Sequence, residues 1–157
     1  MTLVHLAGSA SLLILAAAPA FADEPHYVSA SQLQDLVAKM SDGLSTAPVP
    51  TGPGAVVLTA HRDRTGQVEV HTRLNDEFIV QEGRAAVLVG GRVEGNRETA
   101  PNEWRGGSIV GGRRYDMGPG DVLWIPAGVP HQVVVPPKGS FHYLAVKFEV
   151  RAPAEPR

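Results

Sequence analysis

The residues best suited to chemistry cluster around His71. In the run QVEVHTR (67–73), strand alternation sends Glu69, His71 and Arg73 to one face and Val68 and Val70 to the other. Three polar side chains in succession on one face make a poor plain core, because burying them unpaired is costly. They require a site, or each other. A second histidine, His131, follows a turn-forming stretch from Pro126 to Pro130 that would deliver its ring inward at the head of a strand. The chain holds six histidines and no cysteine, so thiolate catalysis, thiolate metal sites and disulfides are excluded. Any metal must sit on imidazole, carboxylate or water.

The elements that must carry these residues read as an all-β body behind one helix. Leu33, Leu36, Val37 and Met40 recur at helical spacing, Ser29 with Gln32 has capping-box spacing, and Ser41-Asp42-Gly43 stops the turn, which predicts a helix over 29–41. From about Thr46 the breakers Pro48, Pro50, Gly52, Pro53 and Gly54 predict an irregular connector, so 23–54 reads as an N-terminal extension. Short apolar or alternating runs follow: AVVLTAH (55–61), QVEVHTR (67–73), EFIVQ (77–81), AAVLVG (85–90), DVLWIP (121–126), HQVVV (131–135) and SFHYLAVKFEV (140–150). Gly- and Pro-rich turns separate them, as in a sandwich or barrel. Residues 91–117 read as a long irregular stretch, a weak hairpin or flap near one barrel end, and 151–157 as a frayed tail.

Residues 1–22 contain no Asp, Glu, Lys or Arg, carry an apolar run from Leu12 to Ala18 and end in Ala20-Phe21-Ala22. These features read as a secretory signal peptide cut before Asp23, which would place the mature chain in the periplasm or outside the cell. An uncleaved anchor is the other reading. The remaining 135 of 157 residues suffice for one domain. Fourteen basic against sixteen acidic side chains, without a run of like charge, give no reason to expect nucleic acid or a membrane surface as partner.

The string GPGDVLWIPAGVPH, with Gly120, Pro126, Gly128 and His131 in register, resembles the second motif of the cupin family, although Val135 stands where the family pattern ends in Asn. The string GQVEVHTRLNDEFIVQEG resembles the first motif with two departures: four residues rather than five separate Gly66 from His71, and Arg73 replaces the second histidine. The resemblance runs from about Ala55 to Val150. It implies a double-stranded β-helix, or jelly-roll barrel, around one internal site, and it leaves the function open because this fold hosts many chemistries. It also suggests a homodimer.

The family's carboxylate falls on Asp76 when counted back from Gly83 and on Glu77 when counted forward from His71. Placing Asp76 inward also turns Phe78 and Val80 inward and leaves Glu77 and Gln81 outside, so Asp76 is preferred. The resemblance then implies a divalent ion (Fe, Mn, Zn or Ni) on His71, Asp76 and His131, with Glu69 or Glu77 in reserve. Such a centre would serve a dioxygenase, isomerase or lyase acting on a small molecule. The alternative is a metal-free pocket in which Arg73 clamps an anion, either as an isomerase or epimerase or as a binding module. In either case Glu69, Arg73 and Glu77 are the candidate catalytic groups. A third reading is a buried polar network with no ligand. His26 and His61 read as surface residues. Only one of His142 and Tyr143 can line the barrel. Trp104, Arg105, Arg113 and Arg114 are candidates for the barrel mouth, and Lys147 on an apolar strand has no evident role.

Overall fold

A computed structural model describes residues 25–40, 43–52 and 54–150. The expected leader, the last residue of the expected helix and the tail lie outside them. Helix α1 (Ala30–Ala38) begins at Ser29, whose side chain accepts from the Gln32 amide while the Gln32 side chain accepts from the Ser29 amide, a complete capping box. The first strands are β1 (Leu44–Val49), β2 (Ala55–Arg62), β3 (Glu69–His71), β4 (Leu74–Gly83) and β5 (Ala85–Val89). Shorter ones follow: β6 (Arg92–Glu94), β7 (Arg97–Ala100), β8 (Glu103–Arg105), β9 (Ser108–Val110) and β10 (Arg113–Met117). The body closes with β11 (Val122–Ile125), β12 (His131–Val134) and β13 (Phe141–Glu149). Among the described residues no helix is long and apolar enough to cross a membrane.

Two antiparallel sheets make the barrel, one ordered β1-β2-β13-β4-β11 and the other β10-β5-β12-β3-β8-β7. Alternation fills the space between them: Phe78 and Val80 from β4, Tyr143 and Ala145 from β13, Val87 from β5 and Val133 from β12 are all buried and packed in one cluster with Ile125 and Phe141. Each large apolar side chain so placed stabilises the barrel by about 1.5–3 kcal/mol. The same alternation turns Asp76 inward at 1% exposure and leaves Glu77 on the outer face, opposite Trp124 and Val146.

Two expectations are corrected. The connector from Thr46 is strand only as far as Val49, where β1 pairs with β2 at a sheet edge, while 50–52 lie in no element, as expected. Pro48 can stand there because an edge strand's outward positions owe the ladder no N–H. In the stretch 91–117 the expected irregularity gives way to short strands, and of the two forms expected the hairpin, not the flap, is present. β6 pairs with β9 in a two-stranded arm, β7 and β8 form a hairpin that adds to β3, and β10 pairs with β5. Its glycines make the tight returns: Gly107 has φ +75°, and a Cβ there would lie 2.2 Å from the Glu94 carbonyl oxygen.

Candidate metal centre and its cavity

Five strands from both sheets bring the polar residues together. β3 supplies Glu69 and His71, β12 supplies His131, β8 supplies Glu103 and Arg105, β4 supplies Asp76 and β13 supplies Lys147. Their meeting follows from strand register, since His131 stands opposite Glu69, His71 opposite Glu103, Glu69 opposite Arg105 and Lys147 opposite Asp76. The turn before β12 is fastened to the other motif. Gly128, at φ +79°, donates its amide to the His71 carbonyl over 2.8 Å, and the Ala127 amide donates to Asn75 Oδ1 over 2.9 Å. These two bonds seat His131 beside His71, with ring centroids 5.3 Å apart.

Both histidines have Nδ1 committed elsewhere. His71 Nδ1 lies 2.6 Å from Glu103 Oε2, and His131 Nδ1 lies 3.3 Å from the Val129 carbonyl oxygen. Nε2 of each ring therefore faces the shared space. Asp76 Oδ2 lies 3.2 Å from His71 Nε2 and 3.4 Å from His131 Nε2, and Glu69 Oε2 lies 3.5 and 4.0 Å from the same two atoms. Asp76 Oδ2 and His131 Nε2 are buried and have no hydrogen-bond partner. Two orphaned buried polar atoms aimed at one point require an explanation.

Lysine 147 and Arg105 are the cations of the site. Lys147 Nζ lies 2.5 Å from Asp76 Oδ1 and 3.2 Å from His71 Nε2. Arg105 pairs with Glu69 Oε1 through Nη1 and approaches Glu103 Oε2 at 3.3 Å through Nη2. Burial alone would lower the His71 pKa, but contacts with Asp76, Glu103 and Glu69 overcome burial and the Lys147 charge and push it up to about 10. Burial would raise Asp76, yet His71, Lys147 and His131 hold it at about 2; Glu69 is likewise held below the usual carboxylate range by His71, His131 and Arg105. Burial dominates at His131 and lowers its pKa, which keeps that ring neutral. The metal-free cluster is then charge-balanced: His71, Lys147 and Arg105 face Glu69, Asp76 and Glu103.

Several sequence candidates lie elsewhere. Arg73 is half-exposed and pairs with Glu149 at 2.6 Å, because β3 ends at His71 and the alternation that would have turned Arg73 inward stops there. The anion clamp assigned to it is thereby corrected. Glu77 faces outward, so neither its reserve-ligand role nor its catalytic role survives. Arg105 lines the cavity, whereas Arg113 stacks over Tyr115 and Arg114 pairs with Asp116. Tyr143 rather than His142 faces inward, and His142 Nε2 meets Thr59 Oγ1 at 2.7 Å. The roles of Glu103 and Lys147 escaped sequence reasoning. The one usable signal was a lone lysine on an apolar strand.

A cavity of about 270 Å³ adjoins the cluster, bounded by Glu69, Asp76, Arg105 and Lys147 on one side and by Arg62, Phe78 and Tyr143 on another. β1 contributes Leu44 and Thr46 to its wall.

Solved structures share this architecture. A conserved protein with a double-stranded β-helix domain from Klebsiella pneumoniae superposes with a TM-score of 0.57 at 18% identity, over 84% of this chain and 99% of the other. BH2720 of Bacillus halodurans gives 0.56 at 17% identity over 86% and 89%, and Rru_A2000 of Rhodospirillum rubrum, a cupin-2 domain, gives 0.50 at 15% over 73% and 66%. The fold is the double-stranded β-helix. Residues 106–154 match the AraC-like ligand-binding domain family. No curated protein matches the sequence.

Proposed function

We propose that this protein binds a divalent metal ion through His71 Nε2, His131 Nε2, Asp76 Oδ2 and Glu69 Oε2, and binds or converts a small molecule in the adjoining cavity. The observation that carries the reading is the convergence of the Glu69, His71 and His131 ligand atoms, all within 4.8 Å of one another, with Asp76 Oδ2 3.2 and 3.4 Å from the two imidazole Nε2 atoms, and with Asp76 Oδ2 and His131 Nε2 buried and unpartnered. Ligand atoms about 2.1 Å from a common ion lie about 3.0–3.4 Å apart for octahedral or tetrahedral arrangements, and most of the separations here fall near that range. Glu103 on His71 Nδ1 and the Val129 carbonyl on His131 Nδ1 are the supports that metal-bound imidazoles ordinarily have. Lys147 holds Asp76 Oδ1 and leaves Oδ2 free for the ion. A bound ion would supply a Lewis acid for an oxygen-bearing small molecule. The chain's own groups would hold that molecule in the cavity. The AraC-like match supports small-molecule binding, and the leader-like residues 1–22 support a place outside the cytoplasm, testable by recovering a mature chain beginning at Asp23 from that fraction.

A second reading leaves the ion out. It is favoured by the 3.2 Å approach of Lys147 Nζ to His71 Nε2, the atom that would coordinate. Lysine and imidazolium then stand in for the ion's charge. Elemental analysis of the protein, chelated and then reloaded in turn with Fe(II), Mn(II), Zn(II) and Ni(II), separates the two. Near-stoichiometric metal that disappears in His131→Ala supports the centre. Less than about a tenth of an equivalent of every ion after loading overturns it.

A further inference from the structure

The charged groups around the cavity do not cancel. Arg105 faces Glu69 and Lys147 faces Asp76, but Arg62, the third cation of the lining, has no carboxylate partner among the described residues. Arg62 is nonetheless held in place. Its Nη1 donates to the carbonyl oxygens of Ser45 and His61, each at 2.9 Å, so Nη2 and Nε keep donors to offer. The guanidinium carbon lies 5.8 Å from the centroid of the Tyr143 ring. Tyr143 is only 3% exposed and lines the same cavity, and its hydroxyl has no hydrogen-bond partner among the described residues. The hydroxyl is not among the fully enclosed polar atoms without a partner, so it opens on the cavity and is free to donate to a bound ligand. Leu58, Ala60, Phe78 and Ala145 give the rest of this wall an apolar surface.

We propose that the cavity binds a small monocarboxylate, its carboxylate accepting from Arg62 and the Tyr143 hydroxyl and its short apolar body lying against Leu58, Ala60 and Phe78. Three lining cations against two lining carboxylates leave one positive charge, which one carboxylate neutralises. A second anionic group would have to face Glu69 and Asp76. The guanidinium fork suits a planar carboxylate, and because backbone carbonyls already fix it, little order is lost on binding. The proposal rests on the reading of this cavity as a small-molecule site and is independent of the metal.

The test uses the full chain and probes that differ only at the head group: benzoate, benzamide and benzylammonium, with 3-methylbutanoate as an aliphatic carboxylate, each titrated calorimetrically. Saturable binding of the carboxylates is expected, with benzamide and benzylammonium at least about tenfold weaker. Arg62→Met should weaken benzoate by about tenfold or more, and Tyr143→Phe by a smaller factor, at unchanged metal content. Equal affinity for benzamide overturns the proposal, as does wild-type affinity in both variants or failure of every probe to saturate. Should Arg62→Met not fold, the wild-type probe series and Tyr143→Phe decide alone. Metal content measured on the same samples judges the metal centre separately, since chelated protein that still prefers benzoate keeps this proposal while the centre stands or falls by itself.

Discussion

Glu103 holds the nitrogen of His71 that a metal does not need. Replacing it with Gln keeps the size but removes the charge that orients the ring, and metal affinity should fall by about 10–100-fold in a competition titration. Without metal, the same carboxylate helps to keep His71 protonated to about pH 10. A group whose pKa is raised on folding contributes stability that is complete below its unfolded value, here 6.5, and is lost as pH climbs toward the folded value. Chelated protein should therefore lose thermal stability between about pH 6.5 and 10, and Glu103→Gln should flatten that decline; a profile flat in both proteins would remove the imidazolium from the account. Lys147 acts in the opposite sense on the metal. Its side chain is 15% exposed and its partner Asp76 1%, so Lys147→Met strands a buried carboxylate and should destabilise the chelated protein by about 3–5 kcal/mol. The variant should bind metal more tightly than wild type, because the ammonium near His71 Nε2 is gone, and metal should restore much of the lost stability. Calorimetry of both proteins, with and without metal, checks the pair of expectations.

At the scale of elements, the turn before β12 carries His131 and is tied to the first motif through Asn75. Asn75→Ala leaves the Ala127 amide unpaired, which should cost about 1–3 kcal/mol in denaturant unfolding and weaken metal binding although no ligand is touched. Asn75→Asp, which keeps the acceptor, should recover most of both. How far such features were legible depended on how local they are. The β2, β4 and β13 strands are long enough for alternation to show, and the same parity placed Asp76 inside and Glu77 outside. Arg73 defeated that parity because β3 ends two residues before it. β6 to β9 have only three or four residues each, too few for a period of two to register, and their pairing is set by glycine turns. Glu103 and Lys147 could not be assigned from local pattern, because their places depend on the β3–β8 and β13–β4 registers, which join residues 32 and 71 positions apart in the chain.

The molecule as a whole is two sheets closed on a polar centre drawn from both. β1 belongs to that design more closely than the prolines in and after it suggested, since it walls the cavity with Leu44 and Thr46 while standing at the open edge of its sheet. An open edge is a template on which another extended chain can pair, and repeated pairing of that kind leads to aggregates. Pro48 is exposed on this edge and offers no N–H to an arriving strand. Pro48→Val should leave the fold and the cavity in place yet raise the rate of aggregation in concentrated solution, followed by light scattering at constant thermal stability. Equal scattering from the two proteins would refute this guarding role. The residue that hid the strand from a reading of the sequence would then also be the one that keeps copies of the protein from recruiting one another along this margin.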